Sequence, residues 1–253
     1  MPTTTNQVLT AGQHRSAAPA ALPRLLIAGA TGALGNAVLR RLVGMQRHSH
    51  TQVLASLPLG QGMRHVSAHE VTGQVAQWPR AQADVAVVMF DPPRMFHQRE
   101  RALCTPAPEQ LAAVGAWLKS CGVHTLAVVL PHAQGTLPEA LKRGLASLDE
   151  HALASLGFER LLIVRTAEKP LAASGSNSLE KLAAWMLSIA SFMVPSSEQP
   201  VRATKVAELV DMALQHLPKG TWVAAPELVW HAAQGDAGQM RQVVRDWFGT
   251  RAG

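Results

Sequence analysis

The sequence predicts an α/β protein built on a doubly wound parallel sheet. Three observations carry that reading. Apolar stretches of strand length alternate with amphipathic stretches of helix length. The strand-like stretches are continuous apolar runs rather than alternations of apolar and polar residues, which is the pattern of a sheet covered on both faces. Glycine then recurs at every third position in "GATGALG", Gly29–Gly35, at the junction of the first strand-like run and the first helix-like run.

Taken in order, the first 23 residues, "MPTTTNQVLTAGQHRSAAPAALP", hold no acid and no periodic apolar pattern. They lack the charged start and apolar centre of a secretory signal and read as a disordered tail ending at Pro23. Strands are expected at Arg24–Ala28, Thr51–Ser56, Asp84–Phe90, Val123–Leu130 and Phe158–Arg165, with a weaker one at Arg64–Ala68 and a last one at Thr221–Ala225. Helices are expected at Leu34–Arg47, Glu109–Ser120, Pro138–Leu156, Ser178–Val194 and Thr204–Leu217. Two more close the chain in "PELVWHAAQ" and "GQMRQVVRDWF". Residues 24–253 thus read as one domain, with a helical extension from about residue 166.

Composition narrows the function. The chain of 253 residues is 47% hydrophobic, enough for a substantial core. No apolar run reaches the ~18 residues that span a bilayer, so no membrane is expected. Two cysteines, Cys104 and Cys121, make no disulfide framework, and a reducing cytoplasm is the expected location. The formal charge is +6, with charged residues at only 16% and no basic block. That pattern does not suit nucleic acid, but it does suit an anionic small ligand. Among the eleven histidines, His65 and His69 lie four apart, but no third ligand has a recognisable metal spacing.

The glycine turn is the sharpest motif. A turn from strand to helix that admits a pyrophosphate must be tight, must let the backbone approach the phosphates and must pack the helix close to the strand. Glycine serves each need because it lacks Cβ. The helix N-terminus then offers free N–H groups and partial positive charge. Gly29, Ala30, Thr31, Gly32, Ala33, Leu34 and Gly35 are therefore the candidate dinucleotide-binding residues.

In its glycine spacing, "GATGALG" resembles the fingerprint of atypical and extended short-chain dehydrogenases/reductases, including the NmrA-like proteins. "AQADVAVVMF" is similar to that family's fourth strand with its preceding Ala–Asp, and "GFERLLIVRT" to its sixth. "PVRATKVAELVDMAL" is similar to its C-terminal segment. The resemblance spans about residues 24–225. It implies a Rossmann-type core, NADP(H) or NAD(H) as cofactor, and a small C-terminal region on the substrate side. An acid after the second strand ordinarily binds the ribose hydroxyls of NAD, whereas a base accepts the 2′-phosphate of NADP. Here Ser56 stands at that place, no acid follows before Glu70, and Arg64 is the nearest base. The sequence favours NADP(H). By position the resemblance also implies Glu70 and Val71 near the adenine, and Asp91 and Pro92, with Pro93 and Arg94, in the pocket wall after the fourth strand. The loop Thr166–Ser178 is expected to cover the nicotinamide end.

One departure decides how far the resemblance extends to chemistry. The chain contains no tyrosine, whereas the family reduces its substrates with a Tyr-x-x-x-Lys pair. The aligned positions hold Lys142 and Ala146, and Pro131 and His132 replace the usual serine or threonine. The candidate acids are therefore His132, whose imidazole titrates near neutrality, and Lys142. Two function classes remain open. One is a non-classical NADP(H)-dependent oxidoreductase acting on a small-molecule substrate. The other is a non-catalytic dinucleotide-binding sensor, regulator or assembly partner that acts through a protein partner. A methyltransferase on the same scaffold is a third reading, disfavoured by the Ala-Thr-Gly form of the turn. The oligomeric state is not legible.

Overall fold

The computed structural model describes residues 21–59, 64–94, 98–132, 151–167 and 201–249. Seven strands form one sheet: β1 (Arg24–Ala28), β2 (His50–Ala55), β3 (Val66–Glu70), β4 (Val85–Met89), β5 (Thr125–His132), β6 (Arg160–Ala167) and β7 (Gly220–Ala224). Their order is β3-β2-β1-β4-β5-β6-β7, and every pairing is parallel. This is a Rossmann-type doubly wound sheet. The chain runs outward from β1 to β3, then returns to place β4 on the other side of β1. That reversal opens a crevice at the carboxyl ends of β1 and β4.

Alternate residues of each strand serve opposite faces, which is why the runs are apolar throughout. Leu25, Ile27, Val87, Met89, Val129 and Val164 pack under α1 (Gly32–Gly44), α4 (Ala203–His216), α5 (Pro226–Gln234) and α6 (Ala237–Gly249). Leu26, Ala28, Val88, Val128 and Ile163 pack against α3 (Leu111–Ser120) and the short helix over residues 151–155. A single turn, α2 (Gln98–Arg101), precedes α3. At the far edge Trp222 of β7 meets Phe248 edge-on, ring centroids 4.9 Å apart, and α6 closes the core there.

Several expected boundaries move, for local reasons. Helix α1 begins at Gly32 and ends at Gly44, before Arg47. The last two glycines of the motif fall within its first turn, and Gln46 at φ 51° turns the chain left-handed at the other end. The weak strand expected at Arg64–Ala68 lies at Val66–Glu70, because His65, at φ 61°, belongs to the preceding turn. The expected helix Ser178–Val194, most of Pro138–Leu156 and residues 1–20 of the expected tail lie outside the described residues.

Helices α1 and α4 are pinned by charge as well as by apolar contact. Asp211 of α4 is 2% exposed and accepts a hydrogen bond from Arg41 Nε at 2.8 Å and another from Gln215 Nε2 at 3.0 Å. Arg47 stands 3.8 Å from its other face. Replacing Asp211 by Ala leaves the Arg41 guanidinium without this carboxylate. Because Arg41 retains some solvent, the expected loss is about 2–3 kcal/mol, at or below the range for breaking a buried pair. The shift of the urea denaturation midpoint at constant m-value measures it.

Candidate functional site

The turn after β1 is shaped by what cannot fit in it. Gly29 and Gly32 have φ of +74° and +67°. A Cβ on Gly29 would lie on the Met89 carbonyl oxygen of β4, and one on Gly35 would come within 2.7 Å of the Ala30 carbonyl carbon. These two glycines let α1 sit directly on the carboxyl ends of β1 and β4. Gly32 faces the crevice instead, where its Cβ would meet Asp91 Cβ at 2.7 Å and the Pro92 carbonyl oxygen at 3.1 Å. Ala30 and Thr31 are buried, Leu34 is half-buried and Ala33 is exposed.

The N–H groups at the start of α1 already hold anions, and both come from this chain. Gly32 N–H donates to Glu100 Oε2 at 3.1 Å. Leu34 N–H donates to Asp91 Oδ2 at 3.1 Å. The Thr31 hydroxyl donates to the Asp91 carbonyl oxygen at 2.5 Å and lies 2.6 Å from the Thr105 hydroxyl. Glu100 is 3% exposed. Its second oxygen accepts from Arg94 Nε at 2.8 Å and from Arg94 Nη2, and Arg94 N–H donates to Oε2 at 2.9 Å. Burial pushes the Glu100 carboxyl up. The Arg94 guanidinium and the N–H groups of Arg94 and Gly32 outweigh that and hold it at about 2. Among the described residues Asp91 meets no such cation, and burial raises its carboxyl above the ordinary value despite the Leu34 N–H.

The segment after α2 crosses the same crevice. Ser56 and Leu57 N–H both donate to the Ala102 carbonyl, at 2.7 and 3.2 Å, and Cys104 N–H donates to the Leu54 carbonyl at 2.9 Å. Gly29 N–H donates to the Cys104 carbonyl at 3.0 Å. Ala55 and Leu103 form an antiparallel bridge. Residues 102–104 are thus hydrogen-bonded to the carboxyl end of β2 and reach the glycine turn.

The structure gathers many of the sequence candidates. Gly29 to Gly35, Ser56, Asp91 and Pro92 lie around one crevice, with Arg94 at its mouth. Glu70 and Val71 close the neighbouring end of β3, Val71 buried and Glu70 exposed, and Val71 N–H donates to the Ala55 carbonyl at 2.9 Å. Arg64 is not brought there. It is exposed and precedes β3, whose Val66 pairs with Thr51 at the amino end of β2. A strand's length, ~15–20 Å, separates it from Ser56. His132 ends β5 opposite Ala167 of β6, at the carboxyl edge, and Lys142 lies outside the described residues, as does most of the loop Thr166–Ser178. Burial raises both thiols, Cys104 and Cys121, above the usual value, which disfavours the reactive thiolate. Sequence reasoning missed Glu100, Thr105 and the crossing of Ala102–Cys104. In "HQRERALCT" Glu100 stands between two arginines and carries no mark of a buried acid.

No family model matches the chain, and no curated protein matches it. Solved structures do resemble it at low identity. A Rossmann-fold NAD(P)-binding family protein from Shigella flexneri is 16% identical, covering 79% of this chain and 92% of that one with a TM-score of 0.46. A Citrobacter sp. triphenylmethane reductase complexed with NADP(H) is 15% identical, with coverages of 79% and 68% and a TM-score of 0.47. A nucleoside-diphosphate-sugar epimerase from Staphylococcus aureus is 14% identical, with coverages of 80% and 70% and a TM-score of 0.47. The assignment of the fold rests on the strand order and parallel register above. No described helix is long and apolar enough to cross a membrane.

The depressed Glu100 carboxyl has a thermodynamic consequence. Its folded value, about 2, lies below the ordinary 4.5, so its contribution to stability is present above pH ~4.5 and is lost as pH falls toward 2. With Arg94 half in solvent, the contribution is on the order of 1–2 kcal/mol. Glu100→Gln is expected to be less stable than the parent by that amount at pH 7, with the gap closing by about pH 2. Denaturant titrations of both chains across that range check it.

Proposed function

We propose that this chain is a short-chain-dehydrogenase-like protein that binds a nicotinamide dinucleotide at the Gly29–Gly35 turn and acts as a sensor, regulator or assembly partner. The observation that supports it best is the turn itself, placed where the strand order reverses, with first-turn N–H groups that already bind anionic oxygens. A carboxylate on Gly32 N–H and another on Leu34 N–H are stand-ins for phosphate oxygens, and the donor set fits such a group. Gly32 N–H would hold the pyrophosphate, together with the partial charge of α1. Arg94 would add a guanidinium at the mouth. Ser56 and the residues beyond it would face the adenosine ribose. The nicotinamide, when bound, supplies hydride chemistry or a redox-dependent ligand state. The chain's own contribution is to bind and orient it.

NADP(H) is the favoured form. With Arg64 at the opposite edge, the preference rests on Ser56, where an acid would repel a 2′-phosphate, and on the basic charge of the whole chain. NADPH is expected to bind about tenfold more tightly than NADH at low salt, a difference of about 1.4 kcal/mol. Calorimetric titration with NADPH, NADH and S-adenosylmethionine checks it, and the last is expected not to bind. Gly32→Val places a branched side chain at φ +67° and into Asp91. It is expected to abolish NADPH binding while the far-ultraviolet circular dichroism persists. Unchanged NADPH affinity in that variant would sink the phosphate assignment.

A second reading, a non-classical oxidoreductase, is favoured by one observation: β5 carries His132 to the carboxyl edge of the sheet. A tyrosine relay is excluded by composition, so any carbonyl or quinone reduction needs another acid. If NADPH is oxidised by such substrates, His132→Ala is expected to lower kcat by about a hundredfold or more. Turnover that survives both His132→Ala and Lys142→Met eliminates both candidate acids. Tight NADPH binding with no turnover supports the sensor or partner role.

A further inference from the structure

We propose that Glu100–Thr105 is an internal competitor for the dinucleotide, a strap seated in the crevice that binding must displace. The inference rests on the reading that the Gly29–Gly35 crevice takes a dinucleotide. Its basis is which groups the strap occupies. Glu100 takes Gly32 N–H at the N-terminus of α1, where a phosphate oxygen would bind. Cys104 takes Gly29 N–H through its carbonyl, and Ala102 takes the N–H groups of Ser56 and Leu57. Thr105 takes the Thr31 hydroxyl. All of these partners are residues of the glycine turn or of the chain just beyond β2, the two places a dinucleotide of this fold reads.

Charge makes the two occupants exclusive. A pyrophosphate on Gly32 N–H would lie within contact distance of the Glu100 carboxylate, with Asp91 on the adjacent Leu34 N–H. Like charges at that range are unfavourable in a buried site. Glu100 therefore leaves, and Arg94, which now holds it with both Nε and Nη2, is left at the mouth to pair with the incoming phosphates. Beyond Glu100, which is buried, the strap is not sealed into the core. Leu103 is a partly buried residue packed against the core under α1, Cys104 a partly buried one against the opposite core, and Ala102 and Thr105 are half-buried. The consequence is that dinucleotide binding is coupled to release of residues 100–105 onto the surface, a change a partner protein can read.

The test uses the full chain. NADPH and ADP-ribose are titrated calorimetrically against the parent and Glu100→Gln, with circular dichroism confirming the fold. Amide hydrogen exchange is followed at Cys104, whose N–H bonds the Leu54 carbonyl within β2, in the parent with and without NADPH. The proposal expects Glu100→Gln to bind both ligands at least tenfold more tightly. It also expects the Cys104 amide to exchange faster when NADPH is bound. If the parent binds but Glu100→Gln binds equally or more weakly, or if the Cys104 amide gains protection, the strap is fixed scaffold and the proposal is overturned while the dinucleotide reading stands. If neither chain binds NADPH or ADP-ribose, the dinucleotide reading fails and the strap proposal falls with it. Should Glu100→Gln not fold, the exchange measurement on the parent decides alone.

Discussion

The arrangement depends on one close approach, that of the first turn of α1 to the carboxyl ends of β1 and β4. Gly29 and Gly35 have no room for a Cβ because backbone of β4 and of the turn itself occupies that space. With the helix so close, its N-terminal N–H groups point into the crevice left by the strand reversal, where they need acceptors. Glu100 and Asp91 meet that need from two different stretches of chain. The position of α2, the course of residues 102–104 and the orientation of Arg94 all follow from where those two carboxylates must be.

Much of this was legible in the sequence, and the reason is periodicity. A strand buried on both faces must be apolar at every position, so β1, β4, β5 and β6 announce themselves as runs. β3 was the weakest because Val66–Glu70 lies at the sheet edge, with partly exposed positions and an acid at its end. The glycine turn was legible because steric exclusion of Cβ leaves a compositional trace. Burial of a single acid leaves none. Glu100 looks like any solvated glutamate in a charged stretch, and only its tertiary partners, Gly32 N–H and Arg94, distinguish it. The placement of Arg64 shows the complementary failure. Distance along the chain from β2 suggested proximity, but in a parallel sheet the chain must return to the amino edge before β3 begins, and Arg64 travels with it.

The two carboxylates on α1 are electrostatically unlike. Glu100 is matched by a guanidinium and by two N–H groups, and stays ionised down to about pH 2. Among the described residues Asp91 meets one N–H and no cation, and burial disfavours its charged form relative to an exposed aspartate. A second negative group near α1 would therefore meet a firmly ionised carboxylate at Glu100 and, at Asp91, one whose charge burial already opposes.

The Arg41–Asp211 pair has a meaning for synthesis. Its members are 170 residues apart, yet Asp211 fixes the helix that follows the glycine turn. During translation at ~5–20 residues per second, the apolar face of α1 emerges on the order of ten to thirty seconds before the helix that covers it. Over that interval Val38, Leu39 and Leu42 have the early strands to pack on but not α4. The first βαβ segment is thus made early and finished late, and a nascent chain stalled before residue 203 presents that face to whatever surveys unfolded chains at the ribosome exit.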